Sequence, residues 1–153
     1  MNPEPGTPIP ALSLPATGDQ TVDLAALPDR IVVLYFYPKD STPGCTTEGR
    51  DFAALNDQFQ AAGARVLGVS KDSLRSHENF KAKQEFPFDL LADTDEALCQ
   101  ALGVIQEKKL YGKTYLGIVR STFVFVDGKL ARLWSPVKVK GHAQEVLDFV
   151  QSL

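Results

Sequence analysis

A chain of 153 residues, 44% hydrophobic and 23% charged, fits one globular domain over 1–153 that buries about two-thirds of the surface its unfolded form exposes. Its net charge of −3, with no long run of either sign, argues against nucleic acid or an anionic membrane as the main partner, because both demand a basic face. No apolar run approaches the ~20 residues that cross a bilayer.

The opening, MNPEPGTPIPALSLP, has no early Lys or Arg and no apolar stretch, so it does not read as a secretory signal and a cytoplasmic location is expected. Its prolines predict an extended arm, with short strands around Ala11–Leu14 and Gln20–Asp23. Arg30 to Tyr37, RIVVLYFY, is a near-continuous β-branched and aromatic run that suits a strand covered on both faces. After the turn-rich segment Pro38 to Gly44 the period becomes helical: Phe52, Leu55, Phe59 and Ala62 recur on one face until Gly63 ends the element. A buried strand Arg65–Ser70, a helix Leu74–Lys83, a short strand around Phe88–Leu91 and a helix Asp95–Leu102 closed by Gly103 follow. Strands Ile118–Val126 and Lys129–Val137 flank Asp127-Gly128, a strong hairpin signal. The last helix, His142–Leu153, carries Ala143, Val146, Leu147 and Val150 on one stripe. With a βαβ unit early and a hairpin plus helix late, the expected fold is α/β and thioredoxin-like: a central mixed sheet flanked by helices, with an N-terminal extended arm.

Cys45 and Cys99 are the only cysteines, which does not suit a disulfide-stapled scaffold. With His77 and His142 they lack the paired spacing of zinc ligands, and no P-loop, nucleophile elbow or dinucleotide fingerprint is present, so neither metal nor cofactor is expected. Both histidines fall at predicted helix starts and are expected on the solvated surface. Cys45 is placed differently, at the start of a helix that follows a buried strand. Unpaired amide N–H groups and the helix dipole meet there, and both favour a thiolate, the reactive form of cysteine. Pro38 and Pro43 fix the loop, Gly44 leaves the backbone open to a close ligand, and the Thr42 hydroxyl is available to the thiolate or to a bound oxygen. The bland alternative, a small buried hydrophobe, fits poorly with a polar Pro/Gly-rich loop.

Pro38, Thr42 and Cys45 match the Pro-x-x-x-Thr-x-x-Cys signature of peroxiredoxins. The string YFYPKDSTPGCTTEGRDF resembles the peroxiredoxin Q branch, the bacterioferritin comigratory proteins. LLADTDEALCQALGV and YGKTYLGIVRSTFVFVDGKL are similar to later parts of that family, so the likeness covers nearly the whole chain. The resemblance implies that the Cys45 thiolate attacks a hydroperoxide and becomes a sulfenic acid, that Thr42 hydrogen-bonds the peroxide, and that Pro38 shields the thiolate from water. Cys45 stands where thioredoxins keep the second cysteine of Cys-x-x-Cys, and Thr42 replaces the first.

Arg120 is expected inside a strand with Ile118, Thr122 and Val124 on one face. By residue type alone it reads as a rim arginine paired with an acid, or as a guanidinium aimed at Cys45. In IVRST it aligns with the family's active-site arginine. Glu48 has two readings, a cap for the helix N-terminus or, by resemblance, an orienter of the arginine. The positions where relatives carry a resolving cysteine hold Arg50 and Lys81. Cys99 is therefore the one internal candidate resolver, and it reads equally as a packing residue whose pairing with Cys45 would require local unfolding. A one-cysteine peroxidase follows as the leading expectation, with a two-cysteine variant through Cys99 as its alternative. The resemblance implies a hydroperoxide substrate, thioredoxin or else glutaredoxin and glutathione as reductant, and a monomer. A peroxide-sensing binding module and a Cys–His hydrolase using His142 are the readings from other classes.

Overall fold

A computed structural model describes residues 2–153. A short antiparallel pair, β1 (Ser13–Ala16) and β2 (Gln20–Asp23), opens the chain and leads through a 3₁₀ turn at Leu24–Ala26 to β3 (Ile31–Phe36). The helices α1 (Pro43–Ala54) and α2 (Asn56–Ala61) cross over to β4 (Ala64–Ser70), and α3 (Leu74–Gln84) crosses to β5 (Leu90–Ala92). Then come α4 (Ala97–Ala101), the strands β6 (Ile105–Leu110), β7 (Lys113–Ile118), β8 (Ser121–Val126) and β9 (Lys129–Trp134), and the closing helix α5 (His142–Gln151). Seven strands form one mixed sheet in the order β2-β1-β5-β4-β3-β8-β9, parallel across β5-β4-β3 and antiparallel at both edges. The thioredoxin-like mixed sheet expected from the sequence is this one.

All six residues of β3 are buried, as a run without polar alternation requires. Their side chains divide by the period of two between two cores. Val32, Leu34 and Phe36 join Leu14, Leu98, Cys99 and Phe123 on one face, while Ile31, Val33 and Tyr35 join Cys45, Phe52, Phe59, Phe80 and the stripe of α5 on the other. The two cysteines therefore lie on opposite faces of the sheet.

Three expectations change. The helix predicted from Cys45 to Gly63 is broken at Leu55, whose N–H bonds the Phe52 carbonyl in 3₁₀ fashion; Phe52 and Phe59 still share a face, and Gly63, at φ +79°, ends α2. Arg120 is not inside a strand. β7 ends at Ile118 and β8 begins at Ser121, because the backbone between them bonds elsewhere: Val119 donates to Val104 and Arg120 accepts from Val137. Ile118 and Val124 accordingly fall in opposite cores. The separate ribbon of β6 and β7 carries no signal that periodicity detects, since Gln106-Glu-Lys-Lys109 does not alternate and its turn, Tyr111-Gly112, lacks Asn or Asp before the glycine.

Gly49 shows how tightly α1 is seated. A Cβ there would stand 2.4 Å from Phe86 Cζ, and the Phe86 ring is held edge-on to Phe80 and stacked on Phe88. Alanine normally stabilises a helix interior by about 1 kcal/mol over glycine. Here overpacking reverses the sign, and Gly49→Ala should lower the unfolding free energy by about 1–3 kcal/mol in urea titrations. A more stable variant would show that the Phe86 ring yields.

Candidate functional site

β3 delivers the chain into a loop that ends at the N-terminus of α1, where Thr42 is the N-cap, Pro43 opens the first turn, and Cys45 follows inside it. Cys45 is 2% exposed. From the break before β8, the Arg120 guanidinium reaches over this turn: Nη2 lies 3.5 Å from Cys45 Sγ and Nη1 donates to Glu48 Oε1 at 2.7 Å. Gly44 permits that approach, because a Cβ on it would stand 3.2 Å from Arg120 Nη2. The close neighbour that Gly44 admits is thus the arginine itself.

Of the two readings of Glu48, the arginine contact is the observed one, for its side chain caps nothing. It is buried, and among the described residues its second oxygen, Oε2, has no partner; nor has the Tyr35 hydroxyl on the same face. Thr42 is half-buried and its hydroxyl donates to the Lys39 carbonyl at 2.8 Å, so its proton is committed away from the sulfur. Pro38 is half-buried at the end of β3. Cys99 has no exposure and its amide donates to Asp93 Oδ2. Burial first, and then Asp93, push its thiol far above the ordinary range, so it remains protonated.

The sequence reading missed a polar network beneath the loop. Asp40 is buried, accepting from the Tyr37 hydroxyl at 2.6 Å through Oδ1 and from Ser76 at 2.8 Å through Oδ2. His77 sets Nδ1 against the same Oδ2 at 2.7 Å and Nε2 against the Leu91 carbonyl at 2.9 Å. The Asp40 amide in turn donates to Asp72, whose carboxylate also accepts from Ser70. Asp40, Asp72 and His77 bring possible ligand atoms within 4.8 Å of one another, but these hydrogen bonds already occupy them, which makes the group a clamp on the loop. His77 is therefore buried, contrary to expectation. So is His142, which pairs with Thr122 at 2.8 Å and receives the edges of Phe52 and Trp134. A helix start is no guide to exposure when its side chain points under a sheet or loop. Two cavities, one lined by Asn56, Arg65 and Phe88 and a roomier one by Ile9, Leu24 and Phe125, do not include Cys45.

A thiol in the first turn of a helix, faced by a guanidinium and carried on this sheet, defines a class: thiol oxidoreductases of thioredoxin-like fold. The AhpC/TSA family profile matches residues 5–132. Peroxiredoxin Bcp of Xanthomonas campestris is 56% identical over 137 residues, covering 89% of this chain and 86% of that protein. A solved structure of Xanthomonas campestris peroxiredoxin Q has a TM-score of 0.91 and 51% identity over 97% of both chains. Another, from work on the alkyl peroxide reduction activity of that organism's bacterioferritin comigratory protein, has a TM-score of 0.91 and 50% identity, covering 97% of this chain and 98% of that one. The chain belongs to the AhpC/TSA family, in its peroxiredoxin Q/Bcp branch, and is a peroxidase of the oxidoreductase class.

Two buried titratable groups give the site an opposed pH response. Burial, partly offset by Arg120, raises Glu48 from 4.5 to about 7. Its contribution to stability is full below pH 4.5 and is lost as pH rises through about 7, because the folded chain holds the proton longer. Burial lowers His142 from 6.5 to about 4, so its contribution is full above pH 6.5 and is lost as pH falls through about 4. Each is of the order of 3 kcal/mol when fully expressed, and between them the slopes cancel. Glu48→Gln removes the first alone. Its unfolding free energy should climb with pH between about 4.5 and 6.5, where that of the wild type stays comparatively flat. Parallel curves in denaturant titrations across this range would refute the assignment.

Proposed function

We propose that Cys45 is the peroxidatic nucleophile and that the enzyme works by a one-cysteine cycle, reducing hydrogen peroxide and organic hydroperoxides in the cytoplasm as a monomer of one domain. The observation that carries this reading is the Arg120 guanidinium, set against Cys45 Sγ at 3.5 Å while anchored on Glu48 at 2.7 Å. The thiolate sulfur bonds the terminal peroxide oxygen, the O–O bond breaks, and the leaving oxygen takes a proton to depart as water or an alcohol. Sulfur loses two electrons, the peroxide gains them, and Cys45 becomes a sulfenic acid. Arg120 faces charge both on the sulfur and on the departing oxygen, which is where a fixed cation lowers the barrier. Thr42, its own proton given to Lys39, is left as an acceptor for the O–H of the hydroperoxide. Pro38 covers the thiolate from bulk water.

A thiol of the reductant then attacks the sulfenate sulfur and releases water. The second thiol of a dithiol such as thioredoxin cleaves the mixed disulfide, leaving Cys45 as thiolate and the reductant oxidised. Glutaredoxin with glutathione is the alternative donor. External reduction is supported by Arg50 and Lys81 at the two usual resolver positions and by Cys99, buried, protonated and across the sheet from Cys45. The alternative two-cysteine cycle through Cys99 requires that the sheet be opened. A peroxide sensor would share the first step only.

Hydroperoxide consumption with thioredoxin and its reductase tests this directly. Cys45→Ser should abolish turnover, and Cys99→Ser should retain it within about twofold, with a dimedone-reactive sulfenate accumulating when reductant is withheld. Loss in Cys99→Ser, with a Cys45–Cys99 disulfide by mass spectrometry, would establish the two-cysteine cycle. A single oxidation without turnover by any thiol would identify a sensor. Arg120→Lys keeps a charge but not the fork that spans Glu48 and Cys45, and should lower the second-order rate with peroxide by about 10²-fold. An unchanged rate in stopped flow would remove Arg120 from the chemistry.

A further inference from the structure

The ribbon of β6 and β7 is unlike the rest of the surface. Among the described residues the exposed large hydrophobics are Leu110 at 55%, Tyr111 at 95%, Tyr115 at 44%, Leu116 at 66% and the terminal Leu153 at 46%, so four of the five lie on this one hairpin. Lys108, Lys109 and Lys113 stand among them against the single acid Glu107, in a chain whose net charge is −3. Register places Lys108 opposite Tyr115 and Leu110 opposite Lys113 on one face; Lys108 Nζ donates to the Ile118 carbonyl at 2.9 Å, and Lys113 is that face's exposed cation. A free two-stranded ribbon is marginally stable in water, and an amphipathic aromatic face of this kind is what protein interfaces cover.

The root of the ribbon adjoins the reactive thiol. Ile118 and Val104 are buried in the core, Val119 bonds back to Val104 at 2.8 Å, and the next residue is Arg120, whose Nη2 meets Cys45. Strands of six residues span about 20 Å, so an anchored root beside the site carries a free arm of that length. A hydroperoxide needs no such arm and a tripeptide thiol could not cover it. Pairing of two copies through their ribbons would bring like charges together.

We propose that this ribbon is the docking arm for a protein reductant: an acidic, dithiol-bearing protein whose apolar surface beside its thiols seats on Leu110 and Tyr115 while Lys113, on the same face, guides its approach. The proposal rests on external reduction of the Cys45 sulfenate as read above. The probe is thioredoxin with its reductase, compared with dithiothreitol, in wild type, Leu110→Ser/Tyr115→Ser and Lys113→Glu. Both variants should lose at least about tenfold in kcat/KM for thioredoxin, while turnover with dithiothreitol and the rate of Cys45 oxidation by peroxide stay within about twofold. The charge variant should also lose most of the salt dependence seen with thioredoxin. Wild-type kcat/KM for thioredoxin in both variants would overturn the docking role alone. Loss of the dithiothreitol and peroxide reactions as well would mean that the ribbon only holds Arg120 in place. A wild-type dimer in sedimentation equilibrium that dissociates in Leu110→Ser/Tyr115→Ser would assign the face to a second copy. A wild type active with dithiothreitol but inert to thioredoxin would overturn the protein-reductant reading, and the arm with it.

Discussion

One guanidinium holds a carboxylate and a sulfur in a place nearly closed to water, and most of the local architecture follows from that requirement. Glu48 is 1% exposed and Cys45 is 2% exposed, so an isolated negative charge on either would cost several kcal/mol. Arg120 answers both with the two arms of its fork, which no lysine could do from one position. To reach them it must leave the sheet, and the two-residue interruption between β7 and β8 is where it does so. The glycine at position 44 removes the one Cβ that would push it back. Glu48 pays for the arrangement with an unpartnered oxygen, and its raised proton affinity is the measure of that burial.

The same economy of buried charge explains how the loop holds its shape. Leu91's carbonyl can only accept, so His77 Nε2 donates to it, and a proton lying between Nδ1 and Asp40 Oδ2 makes their 2.7 Å contact a hydrogen bond. Asp40 also receives Tyr37 and Ser76, which ties the loop to the end of β3 and to the first turn of α3. The N-terminus of α1 is thus fixed from below by a polar clamp and from above by Arg120. A helix terminus aimed in this way presents its amides at a constant angle, which capping statistics alone would not guarantee.

What the sequence disclosed, and what it withheld, divides along range. RIVVLYFY declared a doubly covered strand because its run from Ile31 is unbroken by charge, and the change to a helical period after Gly44 declared a helix start at Cys45, two residues inside the helix that Pro43 opens. Arg120 was legible as a partner for Cys45 through the family likeness, but its position in a gap was not, since the bonds that create the gap run to Val104 and Val137. His77 and His142 were misplaced for the same reason. Their burial depends on Asp40, Leu91 and Thr122, distant in sequence, and nothing within a helical turn of either records it. The β6–β7 ribbon escaped because its pairing is carried by backbone bonds between strands that have no buried face.

The placement of the two thiols also sets what kind of catalytic cycle costs least. A resolving cysteine on α1 or α3 would reach the Cys45 sulfenate by unwinding one or two turns of helix. Cys99 would have to cross a sheet whose central strand is buried on both faces and whose neighbours are paired along its whole length. Disrupting those ladders exposes apolar surface on both cores at about 25 cal/mol per Å², a far larger penalty than fraying a helix end. Gly49, packed against Phe86, adds resistance even to the smaller motion. If Cys45 is the nucleophile, as proposed, bringing the reductant to the sulfur is energetically simpler than bringing the sulfur to a second cysteine. Under the proposed cycle the surface around Arg120 would belong to the catalytic apparatus, because recognition there would replace a conformational change inside the protein.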